Sequence, residues 1–337
     1  MKNQNMQNMT IVEELSYEQL KKLDAYVQEH YALLLAKFME QFESYCRKIT
    51  QMQEAGKKGA IAFVYFSMLR TNILAKRHKL RLDAYDENWY KDRAECSGEY
   101  DVGEIFVFFD EYTDILDKAC RGVYAGNKLA EQQSIIFDES KKYLIFAAEI
   151  MRVGLSEASK TEWFNSVIRH EVFTVCIGEY QDRADILYKD DISIKEPVSV
   201  KRRLESKKQQ VHTHEVCKNL DLSFGNYSGK CFQFSEFDGS DLTSSNFSSV
   251  KIICSSFSGA VIRNATFCKA QLFDVDFGGA ALENVSFSES QLNHVSFAGA
   301  KLINVEFENL LYVNSLDFQN VSLQGTIIPE HIASARR

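Results

Sequence analysis

The sequence predicts an α+β chain of two parts. Residues 1–200 read as a mostly α-helical domain, and residues 215–328 as a four-sided β-solenoid. Three observations carry this reading. From Leu222 to Tyr312 a large apolar side chain returns at every fifth residue. A period of twenty lies inside that period of five. Before residue 190 there is no proline, and good helix formers dominate, because the prolines are Pro197 and Pro329.

Taken in order, Ser16-Tyr17-Glu18-Gln19 matches a capping box. After it, Leu20, Leu23, Tyr26, Val27, His30, Leu33, Leu34, Phe38, Phe42 and Cys46 recur at three or four, which predicts one long amphipathic helix. Further helices are expected near 59–80, 105–122, 139–154 and 160–186. The piece EIFVFF, Glu104–Phe109, also fits a short strand. The run FNSVIRHEVFTVCIGEY, Phe164–Tyr180, is apolar nearly all round, so its helix should be central. Residues 201–214 read as a linker carrying the basic cluster Lys201, Arg202, Arg203, Lys207 and Lys208, a solvated face or a site for an acidic partner.

Neither a helix nor a strand has a period of five. The inward positions are Leu222, Tyr227, Phe232, Phe237, Leu242, Phe247, Ile252, Phe257, Ile262, Phe267, Leu272, Phe277, Leu282, Phe287, Leu292, Phe297, Leu302, Phe307 and Tyr312. Two residues before most of them the side chain is small, as at Ser240, Ser245, Ala260 and Ala280; Lys230 breaks the rule. Gly239, Gly259, Gly279 and Gly299 are spaced by twenty, as are Asn264, Asn284 and Asn304. Four five-residue units then make one square coil, and residues twenty apart stack with strand-like spacing. A narrow tube needs a small residue beside each large one, or it overpacks. Phe alternates with Leu or Ile, so each layer should hold two rings and two aliphatic groups. The span 222–312 makes about 4.5 coils, roughly 22 Å at about 4.8 Å each. Pro329 opens a tail, residues 329–337, that reads as a capping or dimerising segment, and the helical domain is expected to cap the start.

The units AVIRN, AQLFD, AALEN, SQLNH and AKLIN resemble the pentapeptide-repeat family, over residues about 217–328. The resemblance implies a right-handed quadrilateral β-helix. Some family members are similar to duplex DNA in shape and charge, bind a type II topoisomerase (DNA gyrase) and protect it from inhibitors or toxins. That is the alternative reading of function here. The first reading is a non-catalytic interaction module or scaffold that binds a protein.

Eleven acidic and six basic residues between 217 and 328 give a net of −5 there. The binding candidates are Phe273, Asp274, Asp276, Glu283, Glu289, Glu306 and Glu308, with Phe224 and Phe234 expected to pack beneath the helical domain. The chain's net charge of −8 argues against direct nucleic-acid binding. No apolar run is long enough to cross a membrane, and the polar start MKNQNMQNMTIVEEL lacks a signal-peptide core, so a cytoplasmic location is expected. The eight cysteines form no C-x-x-C pair and no zinc spacing. No phosphate loop, H-E-x-x-H or G-x-S-x-G motif occurs, so no catalytic residue, cofactor or metal is expected. Arg169, His170, Glu171 and Glu179 read as a structural ion cluster near buried surface. Asp110, Glu111, Asp114 and Asp117 read as a solvated acidic face or a cation site. Cys176 reads as a buried thiol.

Overall fold

The computed structural model describes residues 2–120, 129–326 and 328. The chain divides into two compact units, Met1–Ile192 and Ser193–Arg337. In the first, helix α1 (Lys2–Glu54) leads into β1 (Ile61–Met68), α2 (Arg70–Leu74), β2 (Lys79–Tyr85) and β3 (Ser97–Asp101). Helices α3 (Gly103–Cys120), α4 (Leu129–Ala158) and α5 (Glu162–Asn165) follow, then β4 (Arg169–Glu179) and β5 (Ala184–Asp191). The strands form one sheet in the order β3-β2-β1-β4-β5. Only β1 and β4 run parallel; the other neighbours are antiparallel.

This sheet corrects the helices expected near 59–80 and 160–186. In β2, Leu80, Leu82 and Ala84 are buried and join the core, while Lys79, Arg81 and Tyr85 alternate away from it. The β1 and β4 runs are central strands, and a strand covered on both sides reads as a continuous apolar run. EIFVFF lies in helix α3. Helix α1 does not start at Ser16. That hydroxyl donates to Glu139 of α4 at 2.8 Å, and Gln19 is buried. Phe38 and Phe42 sit at the centre of the core, where a Cβ on Gly154 of α4 would collide with the Phe38 ring.

The second unit begins with a helix, α6 (Pro197–Glu205), where a linker was expected. Pro197 occupies its first turn, and the Glu196 carboxylate accepts from the Val198 and Ser199 N–H groups. Val200 and Leu204, one turn apart, join the solenoid core with Cys217, Leu222 and Tyr227. The cap at the solenoid's start is therefore this helix of the same unit.

The solenoid itself has four sides. One is a six-stranded parallel sheet in the order β14-β12-β10-β8-β7-β6: β6 (Val211–Thr213), β7 (Cys231–Gln233), β8 (Lys251–Ser256), β10 (Gln271–Asp276), β12 (Gln291–Ser296) and β14 (Tyr312–Asp317). A second is four-stranded: β9 (Val261–Arg263), β11 (Ala281–Glu283), β13 (Lys301–Ile303) and β15 (Ser322–Gln324). The six-stranded sheet continues around the left-handed corners at Cys254, Asp274 and His294 onto a third side, and the fourth is a row of single bridges, Asn226↔Asn246↔Thr266↔Ser286↔Glu306. Pairing is at an offset of twenty, as in Leu272↔Leu292.

The side chains from Phe237 to Phe307 at every fifth position are buried. Phe237, Phe257, Phe277, Phe297 and Phe318 form one column of stacked rings, 4.9–5.3 Å between centroids. Tyr227, Phe247, Phe267, Phe287 and Phe307 form a second, and the two columns meet edge to face. The small inward residues close the layers: the Ser290 hydroxyl donates to the Phe267 carbonyl and accepts from the Ala270 N–H.

Two details differ from the sequence reading. The inward period starts two units earlier, at His212 and Cys217, both fully buried. It also slips by one before Tyr312, which the sequence reading places inward. Tyr312 pairs with Gln291 and Val313 with Leu292, an offset of twenty-one, so Tyr312 is pushed outward and half exposed. The expected tail, 329–337, lies outside the described residues.

Candidate interaction surface

Every corner of the solenoid is built alike. The residue two past each inward side chain has a left-handed backbone, from His214 (φ 54°) through Phe224 (φ 59°) and Gly259 (φ 65°) to Asn309 (φ 53°). Glycine and asparagine suit that conformation; phenylalanine does not. The corners therefore form four columns of outward side chains, each repeating at twenty residues. In one, the amides of Asn264, Asn284 and Asn304 form a ladder, each Nδ2 donating to the Oδ1 below at 3.0–3.1 Å.

The seven binding candidates do not converge. Phe273 lies on the six-stranded side, half-buried beside Ile253 in β8 and Asn293 in β12. Asp274 occupies a corner and faces His294 at 3.2 Å. Asp276 shares a row with Ser256 and Ser296. Glu283 sits on the four-stranded side against Arg263 at 3.3 Å, and Glu289 faces Lys269 at 3.7 Å from another corner. Glu306 bridges to Ser286 in a fourth row, next to exposed Glu308. Two of the six acids thus have a cation twenty residues away and a third has a histidine, and the charge spreads around the rod instead of forming one stripe.

One row set is less mixed. Glu236, Asp276 and Asp317 recur in it with Asp238 beside them, between Ser256, Ser258, Gly278, Ser296 and Ala298. Its cation is Lys218, 2.6 Å from Glu236.

Phe224 is 73 % exposed, and Phe234 stacks on His214 at 5.1 Å. The basic cluster is partly consumed within the unit. Lys201 donates to the Ser223 carbonyl, and Arg203 pairs with Glu215. Lys230, the exception to the small-residue rule, is buried and donates to the Ser206 and Gln209 carbonyls beyond the end of α6.

In the first unit the expected ion cluster sits on strand β4. His170 lies 3.4 Å from Glu87, Arg169 pairs with Asp190 and covers the Phe164 ring, and Glu179 holds Arg70 and Lys141. Burial pushes the Cys176 thiol up to about 11, which leaves it unreactive at neutral pH. The acidic face of α3 is spoken for: Asp110 by His78, Asp114 by Lys76 and Glu111 by Lys22. Among the described residues, no group of His, Cys, Asp and Glu is placed to hold a metal ion, and no helix is long and apolar enough to cross a membrane. A cleft of about 700 Å³ runs along Lys37, Gln41, Ser44 and Glu99–Ile105, and another of about 460 Å³ between Leu144, Ile145, Ile177 and Asp185; His170 lines neither.

Sequence reasoning missed an aromatic layer on the sheet face away from the helices. Phe63, Tyr65, Tyr85, Trp89 and Tyr90 pack at 4.5–6.3 Å between centroids. The loop carrying Trp89 and Tyr90 is fixed by the buried pair Lys58–Asp92, whose carboxylate also accepts from the Asp86 and Ala94 N–H groups. The alternation in KLRLDAY was the available signal.

Among known proteins, the pentapeptide repeat region model matches residues 230–307. A search of the curated proteins finds no match. Solved structures similar to this chain include the pentapeptide repeat protein Rfr23 from the cyanobacterium Cyanothece 51142, at 11 % identity over 38 % of this chain and 90 % of that one, TM-score 0.23. HetL of Nostoc sp. strain PCC 7120, involved in heterocyst differentiation regulation, is 11 % identical over 40 % and 94 %, TM-score 0.16. QnrB1, a plasmid-mediated fluoroquinolone resistance protein, is 16 % identical over 39 % and 88 %, TM-score 0.16. By the fivefold inward register and the matching family model together, residues 230–307 are a pentapeptide repeat region.

Proposed function

We propose that the solenoid is a non-catalytic module that binds a protein through its outer rows. The observation that carries this reading is the filled interior: two ring columns occupy it, so recognition is left to outward side chains held at fixed spacing. The six-stranded side is the favoured face. It sets half-buried Ile253 and Phe273 among Lys251, Gln271, Gln291 and Asn293, an apolar centre with a polar rim. The test uses full-length protein as bait in lysate of its own host, beside an Ile253→Asp/Phe273→Asp variant. A partner retained by the native chain and lost by the variant supports the reading after rebinding with both proteins purified. Equal retention by both overturns it.

A second reading rests on the row of Glu236, Asp238, Asp276 and Asp317. A line of carboxylates competes for a groove built to neutralise phosphates, which suits DNA mimicry towards a type II topoisomerase. Here Asp238→Lys, Asp276→Lys and Asp317→Lys should abolish retention of that enzyme, and salt should release it from the native chain. Retention that ignores both rules this reading out.

A further inference from the structure

The first inward position of the solenoid is held by a histidine. His212 pairs in register with Phe232 of the next coil and stacks on its ring at 5.1 Å. Its side chain is completely buried, in a column that continues with Phe232, Ile252 and Leu272. The ring's Nδ1 faces the Glu215 carboxylate at 3.3 Å, so the neutral ring carries its proton there. Nε2 is buried and has no hydrogen-bond partner.

The same place joins helix α6 to the first coil. Glu215 is shared between His212 and Arg203 of α6. Lys230 holds the Ser206 and Gln209 carbonyls just past the helix. Val200 and Leu204 supply the apolar contact, and Glu205 accepts from the Asn226 N–H. The charged groups around the ring are therefore Glu215, Arg203 and Lys230; Lys201 and Glu205 bond elsewhere on the coil.

We propose that α6 is a latch on the first coil, released when His212 takes up a proton. Protonation adds an N–H at Nε2 where no acceptor is in reach, and burying an unpaired donor is costly. It also puts a third positive charge beside Arg203 and Lys230, with Glu215 as the one carboxylate among them. Opening relieves both at once. Burial, assisted by the two cations, holds the imidazole below the usual histidine range despite Glu215. A base depressed in the closed state loses its stabilising effect as pH falls below the free histidine value. Each unit of depression makes opening about tenfold easier at acid pH. Opening uncovers the Ser223 carbonyl and the Asn226 N–H of the first coil, which Lys201 and Glu205 of α6 hold, and an open edge offers such unpaired groups to another strand.

The test is amide exchange of the full chain at pH 7.5 and pH 5.0, corrected for the intrinsic rate. Residues 197–217 should lose protection at pH 5.0, by about tenfold for each unit of depression, while 251–303 keep theirs. His212→Phe gives the first coil the ring that Phe232 already carries, so it should fold and show no pH effect. No selective loss in the native chain, or an equal loss in His212→Phe, overturns the latch. Titration of the His212 ring by NMR reads the same point without a variant: a midpoint at or above that of a free histidine also overturns it.

Discussion

At the scale of single residues, the corners decide how much each repeat costs. A left-handed backbone is unfavourable for most L-residues by roughly 1–2 kcal/mol, and asparagine and glycine largely escape the penalty. Asn264, Asn284 and Asn304 also gain a ladder bond. Phe224 gains nothing visible: it is left-handed and 73 % exposed. Phe224→Asn should therefore stabilise the solenoid by about 1 kcal/mol, read as a higher denaturant midpoint with unchanged slope. An unchanged or lowered midpoint contradicts the idea that the phenylalanine is strained in place. Glycine at one corner in four was legible in the sequence. That every corner is left-handed was not, because serine, lysine, cysteine and glutamate at the other corners carry no signal for it.

At the scale of elements, the ring columns set the cooperativity. Phe277 stacks on Phe257 and Phe297 and meets Phe267 and Phe287 edge-on. Phe277→Ala should cost about 3–5 kcal/mol, because the rod's walls are tied by ladder bonds and cannot collapse into the gap. Nearest-neighbour coupling predicts that amide protection falls first in the coils just either side. Uniform loss along the whole rod contradicts that picture. These columns were readable from Leu242 to Phe307, where every inward residue is large and apolar. The ends were harder to read. His212 is polar yet inward, and Tyr312 is aromatic yet outward, because one extra residue before Val313 shifts the register. In the first unit, central strands β1 and β4 were taken for helices. Their apolar residues face both sides of the sheet, so the period of two is blurred, while edge-ward β2 keeps it.

At the scale of the whole molecule, two units with different architectures answer to different stresses. The first hangs its aromatic layer on the buried Lys58–Asp92 pair. Burial pushes the Asp92 carboxyl up, but Lys58 and two backbone N–H groups outweigh that and hold it below the usual range. Its contribution is then present above the free carboxylate value, about 4, and lost as pH falls through the lower folded value. Lys58→Met should destabilise this unit by about 3–5 kcal/mol at pH 7, since it strands a buried charge. The gap to the native protein should narrow below about pH 4, as Asp92 is protonated. Denaturant melts followed by the fluorescence of Trp89 and Trp163 would show it; a gap that does not change with pH refutes the assignment. Little of this site was legible beforehand, because nothing in the spacing of Lys58 and Asp92 brings them together before the sheet is known.

The twenty-residue offset has one more consequence, for how such a chain can change length. A gain or loss of twenty residues adds or removes one full coil and leaves every outer row facing as before. A change of five rotates everything downstream by a quarter turn, so a row facing one partner comes to face another. A change of one disturbs a single corner, as it does before Val313, and the stack recovers within the next unit. The rod is thus a gauge with three graduations, and duplications in its gene will be tolerated, redirected or absorbed according to which one they match.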